Sequence, residues 1–347
     1  VQEISVPGKA MLFGEYGVLF GGPAVAVTLP GLAVSLRLRI AARADGAQSV
    51  LVRSAFFPSG GIAFSMDDDA RESDGRHLRF FASILEPYRT ELRGHDLEIE
   101  VVRAFSPTFG FGSSSAILVG VHRLLRAALR LNIEEDGARV ERMFAALAVL
   151  QPRASGYDVA IQDAALCRGG EGVSVEAPSE DGPVFWMFQR GCDAASTRVV
   201  APLGCRVDGR FGLLLSTGCY SDTAQVVERF SSAGNECFAA QHRRLAEEFL
   251  RHPVPESLPH LFARSREVAR EQGILPHPGE GGPLAELCRL LDHSGLQYKT
   301  MGAGGGDSLW VLVRRESLRE MIHPVTGRPL CDEVSFDFAS WSAEERT

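Results

Sequence analysis

The sequence is almost without lysine. Among 347 residues, Lys and Arg together number 36, and Lys9 and Lys299 are the only lysines. A GC-rich genome would account for the general preference for arginine, and such a preference makes the two survivors informative. An ammonium is a compact point charge and a guanidinium a planar fork, so some sites cannot exchange them. Paired-cysteine motifs are also missing. The seven cysteines (Cys167, Cys192, Cys205, Cys219, Cys237, Cys288 and Cys331) are odd in number, and none stands in C-x-x-C spacing. They read as reduced thiols of a cytoplasmic protein. The nine histidines contain no H-x-x-x-H or H-E-x-x-H, which removes the zinc signatures. No apolar run approaches the roughly 18 residues needed to span a membrane, and no basic, apolar leader precedes the first strand-like run. A formal net charge of −8 argues against a nucleic-acid partner, which would demand phosphate neutralisation.

What is present is an ordinary globular composition, 45% hydrophobic and 23% charged. It excludes disorder as the main state, and the length suits two domains. There is no internal repeat. Strand-like runs open the chain at 11–13, 24–28, 33–40 and 50–53, followed by an acidic loop at 67–74. A helix is expected over 77–88, a strand over 97–103, and helices over 114–131, 135–150 and 157–166. Residues 117, 118, 121, 124, 125, 128 and 129 form the apolar stripe of the first of these three. Strands are expected at 173–175, 184–188 and 211–216. Helices should follow at 223–230, 236–251, 258–272 and 283–293, then strands at 296–300 and 308–313. Strands and helices mix without strict alternation, which predicts an α+β fold. The domain boundary is expected near 180–200, with domains at 1–185 and 186–347.

Four segments carry chemistry. Ser106–Ala116 reads S-P-T-F-G-F-G-S-S-S-A. Gly110 and Gly112 permit close backbone approach, and Ser113, Ser114 and Ser115 open a helix whose free amides form an anion site. It is not a P-loop, since no lysine follows the glycines. Pro7–Pro23 reads P-G-K-A-M-L-F-G-E-Y-G-V-L-F-G-G-P, placing Lys9, Glu15 and Tyr16 around one strand. Ala154–Ala160, A-S-G-Y-D-V-A, sets Asp158 at a helix start, where a carboxylate is stabilised. Lys299–Ser308, K-T-M-G-A-G-G-G-D-S, places a glycine loop between apolar strands.

In this order the four segments resemble the motifs of the GHMP kinase superfamily, which includes galactokinase, homoserine kinase, mevalonate kinase and phosphomevalonate kinase. The resemblance covers essentially the whole chain. It implies a two-domain fold, with a left-handed β-α-β unit in the N-terminal, ATP-binding domain and a ferredoxin-like C-terminal domain. It also implies ATP and Mg²⁺ as cofactors, with Pro107, Gly110, Gly112, Ser113, Ser114 and Ser115 around the phosphates and Ser114 on the metal. Asp158 would be the catalytic carboxylate and Lys9 its charged neighbour. Glu15, Tyr16, Arg153, Ser155, Tyr157, Lys299, Gly302, Ala303 and Gly304 would line the small-molecule substrate. The expected protein is a monomer or homodimer that acts on neither nucleic acid nor membrane.

Within the family, the mevalonate-pathway branch is the nearest likeness. Tyr16 stands where mevalonate kinases carry histidine, and Asp307 makes the third motif similar to the G-A-G-G-G-D-C of phosphomevalonate kinases. Ser216–Thr223, S-T-G-C-Y-S-D-T, resembles another of their segments. Against this, phosphomevalonate kinases usually carry one more residue before the Pro-Ala of the first motif. Mevalonate kinases have a metal-binding glutamate eleven residues before the catalytic aspartate; here that position is Leu147. The expected activity is therefore phosphomevalonate kinase, with mevalonate kinase second and an inactive binding protein of the same fold third.

Overall fold

A computed structural model describes residues 1–43, 48–55, 57, 60–66, 75–105, 110–131, 136–149, 155–168, 185–189, 198–203, 213–216, 236–302 and 308–312. The expected strand at 173–175, the helix at 223–230 and the acidic loop at 67–74 lie outside these residues.

Among the described residues the larger sheet has seven strands and is organised by one of them. β1 (Gln2–Phe13) pairs antiparallel with β2 (Pro23–Ala42). The opposite edge of β2 binds β6 (Phe185–Gln189) along Pro23–Val27 and β5 (His95–Arg103) along Ser35–Ala42. The sequence suggested two strands here, but the chain forms one of 20 residues. The apparent break at Pro30–Gly31 falls where that edge passes from one partner to the other. There the register with β1 jumps from Ala33 opposite Pro7 to Leu29 opposite Gly8. A proline has no amide to donate to a ladder, and an irregularity of this kind accommodates it. β3 (Ser49–Ser54) runs parallel to β5, and β4 (Gly61–Phe64) closes that edge. β7 (Arg198–Leu203) pairs with β6. The sheet thus continues past the expected division at 185/186, and a cut there would separate β2 from β6. β4 and β7 were not anticipated from the sequence.

Helices cover the sheet because their apolar stripes have to leave water. α1 (Arg76–Leu85) precedes β5; α2 (Ser113–Leu129), α3 (Asp136–Ala148) and α4 (Tyr157–Arg168) follow it. α2 buries Leu118, Val121, Leu124 and Leu125, each stabilising by about 1.5–3 kcal/mol relative to exposure. α2 and α4 lie against β1 and β2, which sets both helix N-termini near Lys9.

The smaller sheet has the order β8 (Leu213–Ser216), β10 (Ser308–Leu312), β9 (Gln297–Thr300), all antiparallel. α5 (Glu236–Arg251) packs on α6 (Leu258–Glu271) and on β1 and β2 of the larger sheet, while α6 and α7 (Pro283–His293) pack on β9. Strand alternation divides this sheet between two cores. Tyr298, Leu309 and Val311 join Leu287, Cys288 and Leu291 of α7. Trp310 and Leu312 join the main core, and Trp310 Nε1 donates to Met11 O at 2.7 Å. Lys299 lies on this second face, turned toward the larger sheet. Among the described residues no helix is long and apolar enough to cross a membrane.

Candidate active site

Lys9 is the centre of the site. Its backbone N–H donates to Phe111 O at 3.0 Å, which ties β1 to the glycine loop. Its side chain is buried, and Nζ faces three oxygens: Tyr157 Oη at 2.5 Å, Asp158 Oδ2 at 3.3 Å and Gly110 O at 3.4 Å. A desolvated ammonium requires such partners. The Tyr157 ring lies beneath it, 4.6 Å from centroid to Nζ. Asp158 occupies the first turn of α4, where the helix dipole favours a carboxylate. Its side chain is 24% exposed against 5% for Lys9, so the carboxylate meets solvent while the ammonium backs it. Burial, and then the charges of Asp158 and Glu15, hold the Tyr157 phenol well above its usual pKa. It is a neutral hydroxyl.

The N-terminus of α2 faces the same place. Its first turn has no acidic residue, and no side chain caps it. The first intrahelical bond runs from Ala116 N–H to Gly112 O at 2.9 Å. The amides of Ser113, Ser114 and Ser115 therefore have no acceptor within the helix, and the dipole adds positive potential there. Ser115 turns its hydroxyl back onto Gly112 O at 3.0 Å. Gly112 has φ +77, and a Cβ on it would meet Lys9 Cε at 2.7 Å. Only glycine fits the conformation and the gap together.

A second polar cluster lies at the loop after β1. The Glu15 carboxylate is buried and accepts from Lys299 Nζ on one oxygen and from His242 Nδ1 at 3.1 Å on the other. Lys299, itself fully buried, also donates to Thr300 O at 2.5 Å. Burial alone would raise the Glu15 pKa, but Lys299 and His242 outweigh it and bring it from 4.5 to about 2. Burial pulls Lys299 below its ordinary value, with Glu15 opposing.

Lys9, Asp158, Tyr157, Gly110, Gly112 and Ser113–Ser115 therefore converge. Lys299 does not join them as a free charge: expected to face the substrate, it spends its ammonium on Glu15, because β9 alternation turns it inward. Tyr16 is likewise buried, its ring 4.7 Å from Phe238 and 5.5 Å from His242. Ser155 is buried just ahead of α4, and Gly302 follows β9 with φ +64. Pro107, Arg153, Ala303, Gly304 and Asp307 lie outside the described residues. Leu147 is buried in the main core, so α3 offers no carboxylate there.

Two polar residues of this region escaped the sequence reading. Gln162 is fully buried four residues after Asp158, a spacing that puts both on one helix face. His242 gave no signal, being 227 residues from its partner Glu15. Among the described residues no group of three or more His, Cys, Asp or Glu could hold a metal.

No family model matches the chain. It is 26% identical over 313 residues to the mevalonate kinase of Archaeoglobus fulgidus, covering 90% of this chain and 92% of the relative. Identity is also 26%, over 355 residues, with the phosphomevalonate kinase of Streptomyces sp. strain CL190, covering 91% of each. The match to the mevalonate kinase of Saccharolobus solfataricus spans only 40% of that protein's length. Among solved structures, the Methanococcus jannaschii mevalonate kinase superposes with a TM-score of 0.62 at 15% identity, over 91% of both chains. The Streptococcus pneumoniae phosphomevalonate kinase, in complex with phosphomevalonate and AMPPNP, gives 0.64 at 18% identity, over 90% of this chain and 92% of that one. The chain therefore has the fold of these kinases and is similar, at low identity, to proteins named mevalonate kinase and phosphomevalonate kinase.

Proposed function

We propose that the chain is an ATP-dependent kinase of a mevalonate-pathway intermediate, and that its acceptor is 5-phosphomevalonate. The observation that carries the reading is the Lys9–Asp158 pair at 3.3 Å, set beside the uncapped N-terminus of α2. Phosphoryl transfer demands positioning and charge neutralisation more than covalent chemistry. The amides of Ser113–Ser115 receive phosphate oxygens. Ser114, with phosphates and water, would hold magnesium, whose charge would add to the neutralisation. Lys9 pairs with Asp158 and offers positive charge to the transferring group.

The choice of acceptor rests on what the site lacks as well as what it has. Mevalonate presents an alcohol, whose proton Asp158 would have to accept in or near the transition state. A phosphate monoester, with a second pKa near about 6, is already largely ionised at neutral pH. Such an acceptor makes less demand on a base, and it fits a site with Leu147 at the position of the extra carboxylate. Mevalonate kinase is the second reading, supported by the Archaeoglobus relative. An inactive binding protein is disfavoured because the Lys9–Asp158 pair is intact.

The deciding experiment is ADP release with ATP and Mg²⁺, offering mevalonate and 5-phosphomevalonate separately. Turnover of the phosphate ester alone is expected. Turnover of mevalonate alone would overturn the choice of acceptor. No turnover with either, or across a panel of sugars, would revive the binding-protein reading.

A further inference from the structure

The Gln162 carboxamide is enclosed, and its environment fixes its orientation. Nε2 donates to Pro7 O at 2.9 Å and to Gly112 O at 3.2 Å. Two acceptors call for the NH₂ end, so Oε1 points the other way. That oxygen is buried and meets no donor among the described residues. An unsatisfied buried acceptor costs about 1–3 kcal/mol, and a leucine here would avoid it. The cost maintains a link between three parts of the site: the strand carrying Lys9, the glycine turn at the start of α2, and the helix carrying Asp158.

The bonds on the glycine turn have a consequence for its amides. Phe111 O accepts from the Lys9 N–H at 3.0 Å, and Gly112 O accepts from Ala116 N–H at 2.9 Å, from Ser115 Oγ at 3.0 Å and from Gln162 Nε2 at 3.2 Å. A trans peptide is planar, with its C=O and the following N–H opposed. Holding these two carbonyls on the protein side therefore turns the amides of Gly112 and Ser113 to the other side. There they continue the array formed by Ser114 and Ser115.

We propose that Gln162 is a positioning residue for nucleotide: its carboxamide bridges Pro7 O of the Lys9 strand to Gly112 O and, together with Ala116 and Ser115, fixes the carbonyl side of the glycine turn, so that the amide side is preformed for phosphate. This rests on the kinase reading above. Gln162 does not itself touch the phosphates, so its loss acts through the turn.

The test compares wild type with Gln162→Leu and Gln162→Met, two variants without donors. The readouts are MgADP affinity by calorimetry, the KM for ATP, the KM for the acceptor, and Tm. Affinity for MgADP should fall about tenfold, the equivalent of roughly one hydrogen bond's 1.4 kcal/mol. The KM for ATP should rise similarly, while the acceptor KM and Tm stay near wild type. Unchanged MgADP affinity in a folded variant would overturn the proposal. So would collapse of both variants, or an equal rise in both KM values, because Gln162 would then be a general stability residue. A wild type that binds no nucleotide would instead defeat the kinase reading on which the proposal stands.

Discussion

The Lys299 ammonium is buried against the Glu15 carboxylate, although the two residues are 284 positions apart. The pair joins β9 of the smaller sheet to the loop that follows the Lys9 strand. Removing one partner of a buried ion pair leaves an uncompensated charge, at a cost of about 3–5 kcal/mol. Lys299→Met is expected to lose stability on that scale in urea unfolding, and Lys299→Met combined with Glu15→Gln should recover much of it. Wild-type stability in the single variant would mean that the pair ties nothing together.

The same carboxylate predicts an acid limb. Glu15 has its folded pKa depressed from 4.5 to about 2, with burial opposed by Lys299 and His242. A depressed carboxylate contributes stability that is complete above its unfolded pKa and is lost as pH falls through the folded value. Unfolding free energy should therefore decline between about pH 4.5 and 2. Glu15→Gln should flatten that part of the curve. A variant with the wild-type acid slope would assign the limb to other groups.

Gly156 sits just before α4 with φ +78, and a Cβ there would meet Phe144 Cε1 at 2.4 Å. Gly156→Ala combines left-handed strain of about 1–2 kcal/mol with a clash inside the core. A Tm drop of several degrees is expected, along with weakened activity, because Asp158 begins the next turn. The double variant Gly156→Ala/Phe144→Leu should regain part of the stability. If the single alanine variant melts like wild type, the turn is not held as described.

Much of this architecture was readable from local pattern. The apolar stripe of α2 placed that helix within a residue or two of its observed ends, and α5 to α7 were as clear. β2 was less legible, because Pro30–Gly31 looks like a terminator. Only the change of sheet partner from β6 to β5 explains why the strand continues through it. At the site, the resemblance of four short motifs brought Lys9 and Asp158 together across the chain, which no periodicity could have done. Lys299 shows the limit of such reading. Its position beside a glycine loop suggested a charge for substrate, whereas alternation along Tyr298–Lys299 sends it into the protein toward a carboxylate of the first motif. Gln162 and His242 stayed silent because their roles depend on tertiary neighbours, not on neighbours in sequence.

Tyr157 supplies the shortest contact to Lys9, at 2.5 Å, through a phenol held well above its ordinary pKa by burial and by Asp158 and Glu15. Tyr157→Phe removes one neutral acceptor and leaves Asp158 and Gly110 O in place. A loss of about threefold to tenfold in kcat is expected, in line with one hydrogen bond of about 1 kcal/mol. The shape of the pH–rate profile between 7 and 10 should not change, because the phenol does not ionise there. An alkaline limb present in wild type and absent from the phenylalanine variant would contradict the assigned protonation state.

Lys9 is the sharpest test of the site, and two substitutions separate charge from shape. Lys9→Met should keep the fold and lose at least about 10²-fold in kcat, the usual scale for removing one electrostatic group from a transition state. Lys9→Arg keeps the charge, yet it should not restore activity. The aliphatic stem already fills the gap that a Cβ on Gly112 would enter, so a planar fork of greater width has to displace the glycine turn or swing away from Asp158. In a chain that uses arginine almost everywhere else, this is a position where the point charge is required. Full turnover in Lys9→Arg would show that any cation suffices there and would reduce the retained lysine to chance. Full turnover in Lys9→Met would remove Lys9 from the chemistry altogether.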